Sequence, residues 1–121
     1  MHLDWNSGPL AEGRACYNRA CFFDAHEHWE LVWLTLPEPE KSFLQALIQM
    51  TAAFHHLQTG NQIGTVSLLK RTSRRLATCP ETFAGIAVAP LREEISDWLS
   101  ALEAQTSNLP EAPPHLHLVP A

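Results

Sequence analysis

The sequence predicts an all-α protein, a compact bundle of about five helices with short connections and a proline-rich C-terminal tail. Three observations carry that expectation. Apolar residues recur at helical spacing over most of the chain, Gly, Pro and Asn fall between those stretches as stop and cap signals, and no stretch alternates apolar and polar residues over a useful length. At 121 residues, with 45% hydrophobic and 17% charged positions, the chain fits one domain with a single modest core, and its composition is that of a folded protein.

The elements follow in order. After an N-terminal arm over residues 1–8, a first helix starts at "SGPL", with Ser7 as cap and Pro9 in the first turn, and runs to about Ala20. A bend near Cys21 leads into a second helix from Phe22 to about Leu36, which "PEPE" (37–40) breaks. The third, about Lys41 to Thr59, ends at "TGN", where Gly60 suits a left-handed cap. Asn61 caps a fourth that runs to about Thr78, with Val66, Leu69 and Leu76 on one side. "CPETFAGIAVAP" is expected as a loop whose apolar residues tuck against the bundle. Pro90 opens a fifth helix, in which Leu91, Ile95, Trp98 and Leu102 form a core stripe at i, i+4, i+7 and i+11. The bundle domain thus covers 9–104. The tail, 105–121, is too rich in proline for a helix, so it is expected to be extended or mobile and to tolerate deletion.

Several function classes are excluded at this stage. A net charge of −5 opposes a broad nucleic-acid-binding face. No apolar run approaches the length that spans a bilayer, and "MHLDWNSGPL" lacks a basic-then-apolar signal pattern, so a cytoplasmic protein is the default expectation. Cys16, Cys21 and Cys79 lack zinc-ribbon spacing and read as reduced thiols.

The chemistry concentrates in "FFDAHEHWE" (22–30). On a helical wheel Phe22, Ala25, Trp29, Val32 and Trp33 share one face, and His26 and Glu30 flank it, between Phe22 and Trp33 on one side and Phe23 and Leu34 on the other. Both polar groups are therefore expected to be mostly buried, and a buried carboxylate needs a partner. If the third helix packs antiparallel, it brings His55 and Gln45 to them. Two readings follow. In one, these residues form a satisfied polar network that fixes helix register, with no cofactor. In the other, His26, Glu30 and His55 hold one divalent, zinc-like metal and Glu27 acts as base, since H-E-x-x-E echoes the H-E-x-x-H helix of zinc proteases with one histidine replaced. The structural reading is preferred. A di-iron carboxylate bundle needs paired E-x-x-H motifs, which this sequence lacks.

Two further features stand out. "KRTSRR" puts Lys70, Arg71, Arg74 and Arg75 on one arc of the fourth helix, read as a solvated face, with an anion-binding or acidic-partner patch as the alternative. The alternating histidines of "PHLHLVP", His115 and His117, admit a metal, against the simpler reading of a loose or packed tail. His2 and His28 show no partner pattern.

With these residues placed, the chain resembles domain-of-unknown-function family 309, small bacterial and archaeal helical proteins. The resemblance rests on "YNRACFFDAHEHWELVW", on "FLQALIQMTAAFHHLQTGN" and on the leucine-bearing helix that follows, about Leu10 to Leu102. Residue by residue, the family pattern falls on Tyr17, Asn18, Phe22, Ala25, His26, Glu27, Glu30, Trp33, Gln45 and His55. Asp24 stands where the family has Glu, and Ala46 where it commonly has Gly. The resemblance implies a compact helical bundle, and the family has sometimes been labelled a metal-dependent hydrolase. Two function classes remain: a non-enzymatic interaction module, and a metal-assisted hydrolase using the same cluster. The open partner classes are another protein, a second copy of this chain and a small molecule.

Overall fold

The computed structural model describes residues 3–120, so Met1, His2 and Ala121 lie outside the description. Five helices follow one another: α1 Gly8–Asn18, α2 Phe22–Trp33, α3 Glu40–Gln58, α4 Gln62–Leu76 and α5 Val88–Glu103. The caps behave as their residue types require. Asn61 accepts a hydrogen bond from the Gly64 amide at 2.9 Å, and Gly60 turns α3 out through φ +84°, a conformation that a side chain resists. Ser7 occupies the N-cap of α1, but its side chain makes no bond to the helix. Its hydroxyl instead donates to Asp4 at 2.7 Å.

Helix α3 is the hub. It packs against α2 on one side and α4 on the other, which is why most of its surface is buried, from Phe43 to Phe54. Phe22 and Phe23 of α2 lie near Phe54 and His55, while Lys41 sits 4.5 Å above the Trp33 ring. Opposite ends therefore meet, and α2 and α3 run antiparallel as expected. The centre of the core is a chain of rings. Trp29 meets Trp5 edge-on at 5.9 Å and stacks on Tyr17 at 6.0 Å. Tyr17 then meets Phe22, Phe22 meets Phe54, and Phe54 meets Trp98 of α5.

The stretch expected as a loop after α4 does tuck against the bundle, with Ile86 and Val88 fully buried. It also forms a short antiparallel hairpin, β1 Thr82–Phe83 and β2 Ile86–Ala87. Strands this short leave no alternation to read in a sequence. The expected arm is part of the core as well. Leu3 and Trp5 are buried, and the Trp5 indole donates to the Ala84 carbonyl at 2.7 Å.

The tail requires the largest correction. It is extended and not helical, as its prolines dictate, but it is neither loose nor peripheral. The Tyr17 hydroxyl donates to the Pro114 carbonyl at 2.6 Å and the Trp98 indole to the Ala112 carbonyl at 2.9 Å. The Ala87 amide donates to the His117 carbonyl and the Val119 amide to the Gly85 carbonyl, both at 2.9 Å. Leu118 bridges Ile86 as a third, short rung beside the hairpin, and Leu109, Leu116 and Leu118 pack on the core. An edge strand with unpaired backbone groups is a docking template that prolines elsewhere in the segment do not block.

Candidate functional site

The polar cluster of α2 exists, but not where the wheel put it. His26 Nε2 and Glu30 Oε1 are 2.7 Å apart, one turn apart on the helix, with side chains 28% and 49% exposed. The expected hydrogen bond is present and the expected burial is not. The expectation of burial rested on apolar neighbours on both sides of the pair, whereas those on the outer side, Phe23 and Leu34, are more than half exposed, so that flank opens to solvent.

His26 and Glu30 instead wall a groove of about 370 Å³ between α2, α3 and α4, together with Trp33, Gln45, Gln49 and Arg71. Gln45 therefore joins the pair as expected, and Arg71 joins it without warning from the sequence. Arg75, one turn along α4, donates to Gln49 Oε1 at 3.2 Å, while Lys70 reaches Glu103 at 3.7 Å. The basic arc is thus divided between this groove and α5.

His55 does not complete the set. Its ring lies 5.6 Å from Phe23, whose other face neighbour is His26 at 6.2 Å. Both imidazoles line a small, largely apolar recess of about 140 Å³ with Phe22, Phe23, Ala52 and His56. His26 Nδ1 is buried there with no hydrogen-bond partner, the one such side-chain atom among the described residues. With Nε2 engaged by a carboxylate, the neutral tautomer leaves at Nδ1 a lone pair, whose burial costs less than an unpartnered N–H would. Glu27 lines a separate, open depression with Asp24, His28, Leu31, Leu34 and Glu30, which borders both this depression and the groove. Asn18 ends α1, exposed and outside the groove lining. Thus His26, Glu30 and His55 do not present three donors to one ion, and Glu27 does not face the groove. Among the described residues, three donors with ligand atoms within 4.8 Å of one another occur at Glu94, His115 and His117.

Because the His26–Glu30 pair is half exposed, Glu30→Ala is expected to cost only about 0.3–0.5 kcal/mol, the worth of an exposed pair one turn apart. Glu30→Gln should cost no more. Chemical denaturation of both variants checks this, and a loss above about 1.5 kcal/mol in either would show that the pair carries more than surface electrostatics.

Sequence comparison agrees with the helices that build this groove. Residues 10–68, from α1 into α4, match the family described as "Domain of unknown function (DUF309)". The similarity to that family covers these 59 residues, just under half of the chain. An uncharacterised protein of Aquifex aeolicus (strain VF5) is 31% identical over 95 residues, 78% of this chain and 28% of that protein. The chain therefore spans little more than a quarter of the length of this curated relative. The DUF309 match includes His26, Glu30, Gln45 and His55 and stops before the hairpin, α5 and the tail.

What the sequence concealed lies on the outer side of α2. Phe23, Leu31 and Leu34 are 53%, 61% and 65% exposed, although the composition of this helix suggests burial all round. Their spacing, i, i+8 and i+11, is itself a helical stripe, but one that cannot be told from a core stripe without knowing which face meets α1 and α3. No helix among the described residues is long and apolar enough to cross a membrane, so this face is not a membrane span.

Proposed function

We propose that this protein is an interaction module whose binding surface is the outer face of α2, and that its occupant is a basic amphipathic segment of another protein. The carrying observation is the exposure of Phe23, Leu31 and Leu34 together, three of the four large hydrophobic residues that stand exposed among the described ones. On the wheel these three and Glu27 fall within roughly 80°, with Asp24 and Glu30 at the edges. Scattered exposed leucines need no explanation, whereas an apolar stripe edged by charges of one sign marks a contact surface. Asp24, Glu27 and Glu30 give the stripe a negative border, so lysine or arginine beside apolar anchors is the complementary chemistry. The Aquifex protein supports the reading indirectly, because there the matching stretch is a minor part of a longer chain. A metal-dependent hydrolase built on His26, Glu30 and His55, with Glu27 as base, draws less support from these positions, since Glu27 belongs to the apolar stripe.

The test uses a fluorescent lysine–leucine amphipathic peptide as probe, with a glutamate–leucine peptide of the same pattern as control. Wild-type protein should bind the basic peptide saturably, more weakly as salt rises, and should ignore the acidic one. Leu31→Asp should weaken binding by more than about tenfold, since it removes an anchor and places a buried charge in the complex. Its melting temperature should stay near the wild-type value, because Leu31 touches solvent and not the core. Binding that is absent, or that survives Leu31→Asp and Phe23→Ser unchanged, would overturn the reading. Concentration-dependent self-association of the wild type that Leu31→Asp abolishes would replace it with a face joining two copies of this chain.

A further inference from the structure

The C-terminal segment carries a second arrangement, independent of the α2 face and outside the family match. In an extended chain alternate side chains point to opposite sides. Here Leu116 and Leu118 face the core, so His115 and His117 share the outer side. Four backbone anchors fix that register: the Pro114 and Ala112 carbonyls held by Tyr17 and Trp98, and the His117 carbonyl and Val119 amide held by Ala87 and Gly85. The segment is strapped down on both sides of the histidine pair.

Beneath the pair lies Glu94 of α5. His115 Nδ1 is 2.8 Å from Glu94 Oε1 and His117 Nε2 is 3.8 Å from Glu94 Oε2. The two imidazoles are 5.7 Å apart and inclined by 32°. Each residue offers a ligand atom within 4.8 Å of the others. A tetrahedral zinc ion with bonds of about 2.0–2.2 Å holds its ligand atoms about 3.3–3.6 Å apart, so the observed separations are those of a site that closes by small side-chain rotations. Asp97 and Glu111 share with Glu94 and His115 the rim of an open depression of about 520 Å³, which adds negative potential where a cation would enter.

We propose that Glu94, His115 and His117 form a divalent-metal site of the zinc type that fastens the C-terminal strap to α5. Two imidazoles and one carboxylate are a borderline-soft donor set that suits zinc over magnesium or calcium, which take oxygen ligands. Three protein ligands leave a fourth position for water on the open side. Because the ligands come from α5 and from the strap, the ion binds the docked strap and not the undocked one, and it raises stability by that linkage.

The experiment titrates zinc chloride, with magnesium chloride as control, into full-length protein purified without a histidine tag and stripped with chelator. The expected result is one saturable zinc site, no response to magnesium, and a higher melting temperature with zinc than with chelator. His115→Ala, His117→Ala and Glu94→Gln should each weaken zinc by at least the roughly 10–100-fold that loss of even an outer-shell partner costs, and should lose the zinc-dependent rise in melting temperature. The two histidine side chains are exposed and Glu94 is partly so, and none belongs to the core, so the variants should keep the wild-type circular dichroism and Trp98 fluorescence. A His26→Ala/His55→Ala double variant should bind zinc as the wild type does. The proposal is overturned by absence of a saturable zinc site, by zinc binding that survives all three strap variants, or by binding lost only in the His26/His55 variant.

Discussion

Removal of residues 108–121 should destabilise the protein by about 2–4 kcal/mol and lower its melting temperature by about 10 °C or more, the sum of a few lost hydrogen bonds and three partly buried leucines less the entropy the freed strap regains. The contacts that go are specific. Leu109, Leu116 and Leu118 leave the core, β2 loses the rung formed by Leu118 and its bond to the His117 carbonyl, and the Tyr17 hydroxyl and Trp98 indole lose their carbonyl partners. Tyr17 shows why the strap is coupled to the middle of the fold. Its ring belongs to the aromatic chain through Trp29 and Phe22, while its hydroxyl is committed to Pro114. Burial, assisted by the nearby Glu94 charge, pushes the phenol above its ordinary range, which favours the protonated form that donates to that carbonyl. Tyr17→Phe in the full-length chain should then cost about 1–3 kcal/mol, because the Pro114 carbonyl is left without its donor. Thermal melts of the truncated and Tyr17→Phe proteins check both statements. A truncated protein that melts within a few degrees of the full chain would mean that the strap rests on the core without holding it.

Proline density correctly forbids a helix after Gln105, and from that the sequence invites the conclusion that the segment is dispensable. Absence of helix is a statement about local backbone geometry, whereas docking depends on which edges the rest of the fold leaves open. The hairpin that offers the edge has strands of two residues each, below anything periodicity detects. The α-helical elements were legible because each is long, periodic and capped: observed ends fall within a few residues of those read from Gly60, Asn61 and the "PEPE" break. The candidate site was legible in part. Spacing alone brings Glu30 to His26, and the antiparallel turn brings Gln45 to both. What spacing cannot give is which residues meet through packing: Arg71 arrives from α4, Phe23 stands against both His26 and His55, and Glu94 meets His115 and His117 across more than twenty residues of chain. Residues that meet through tertiary packing carry no mark in the order of letters.

The same holds for a glycine that no turn requires. Gly13 lies inside α1, where alanine would ordinarily stabilise by about 1 kcal/mol. Here a Cβ would lie 2.4 Å from Cδ1 and Nε1 of Trp29, well inside van der Waals contact. Trp29 has no room to yield. It is fully buried, its indole donates to the Leu10 carbonyl at 3.2 Å, and its ring is held by Trp5 and Tyr17. Gly13→Ala should therefore reverse the ordinary sign and destabilise the protein by about 2–4 kcal/mol, as overpacking of a core does when the displaced side chain is its centre. The attribution to Trp29 is tested by a second change. Trp29→Val removes Cδ1, Nε1 and the rest of the ring that Cβ would strike, at its own cost of lost packing. In that background Gly13→Ala should be neutral or stabilising, since the collision is gone and the helix propensity gain remains. Denaturant unfolding of the four proteins gives the coupling energy between the two sites, expected at about 2 kcal/mol or more. Additive effects would show that Gly13 is retained for some reason other than the approach of α1 to the Trp29 indole.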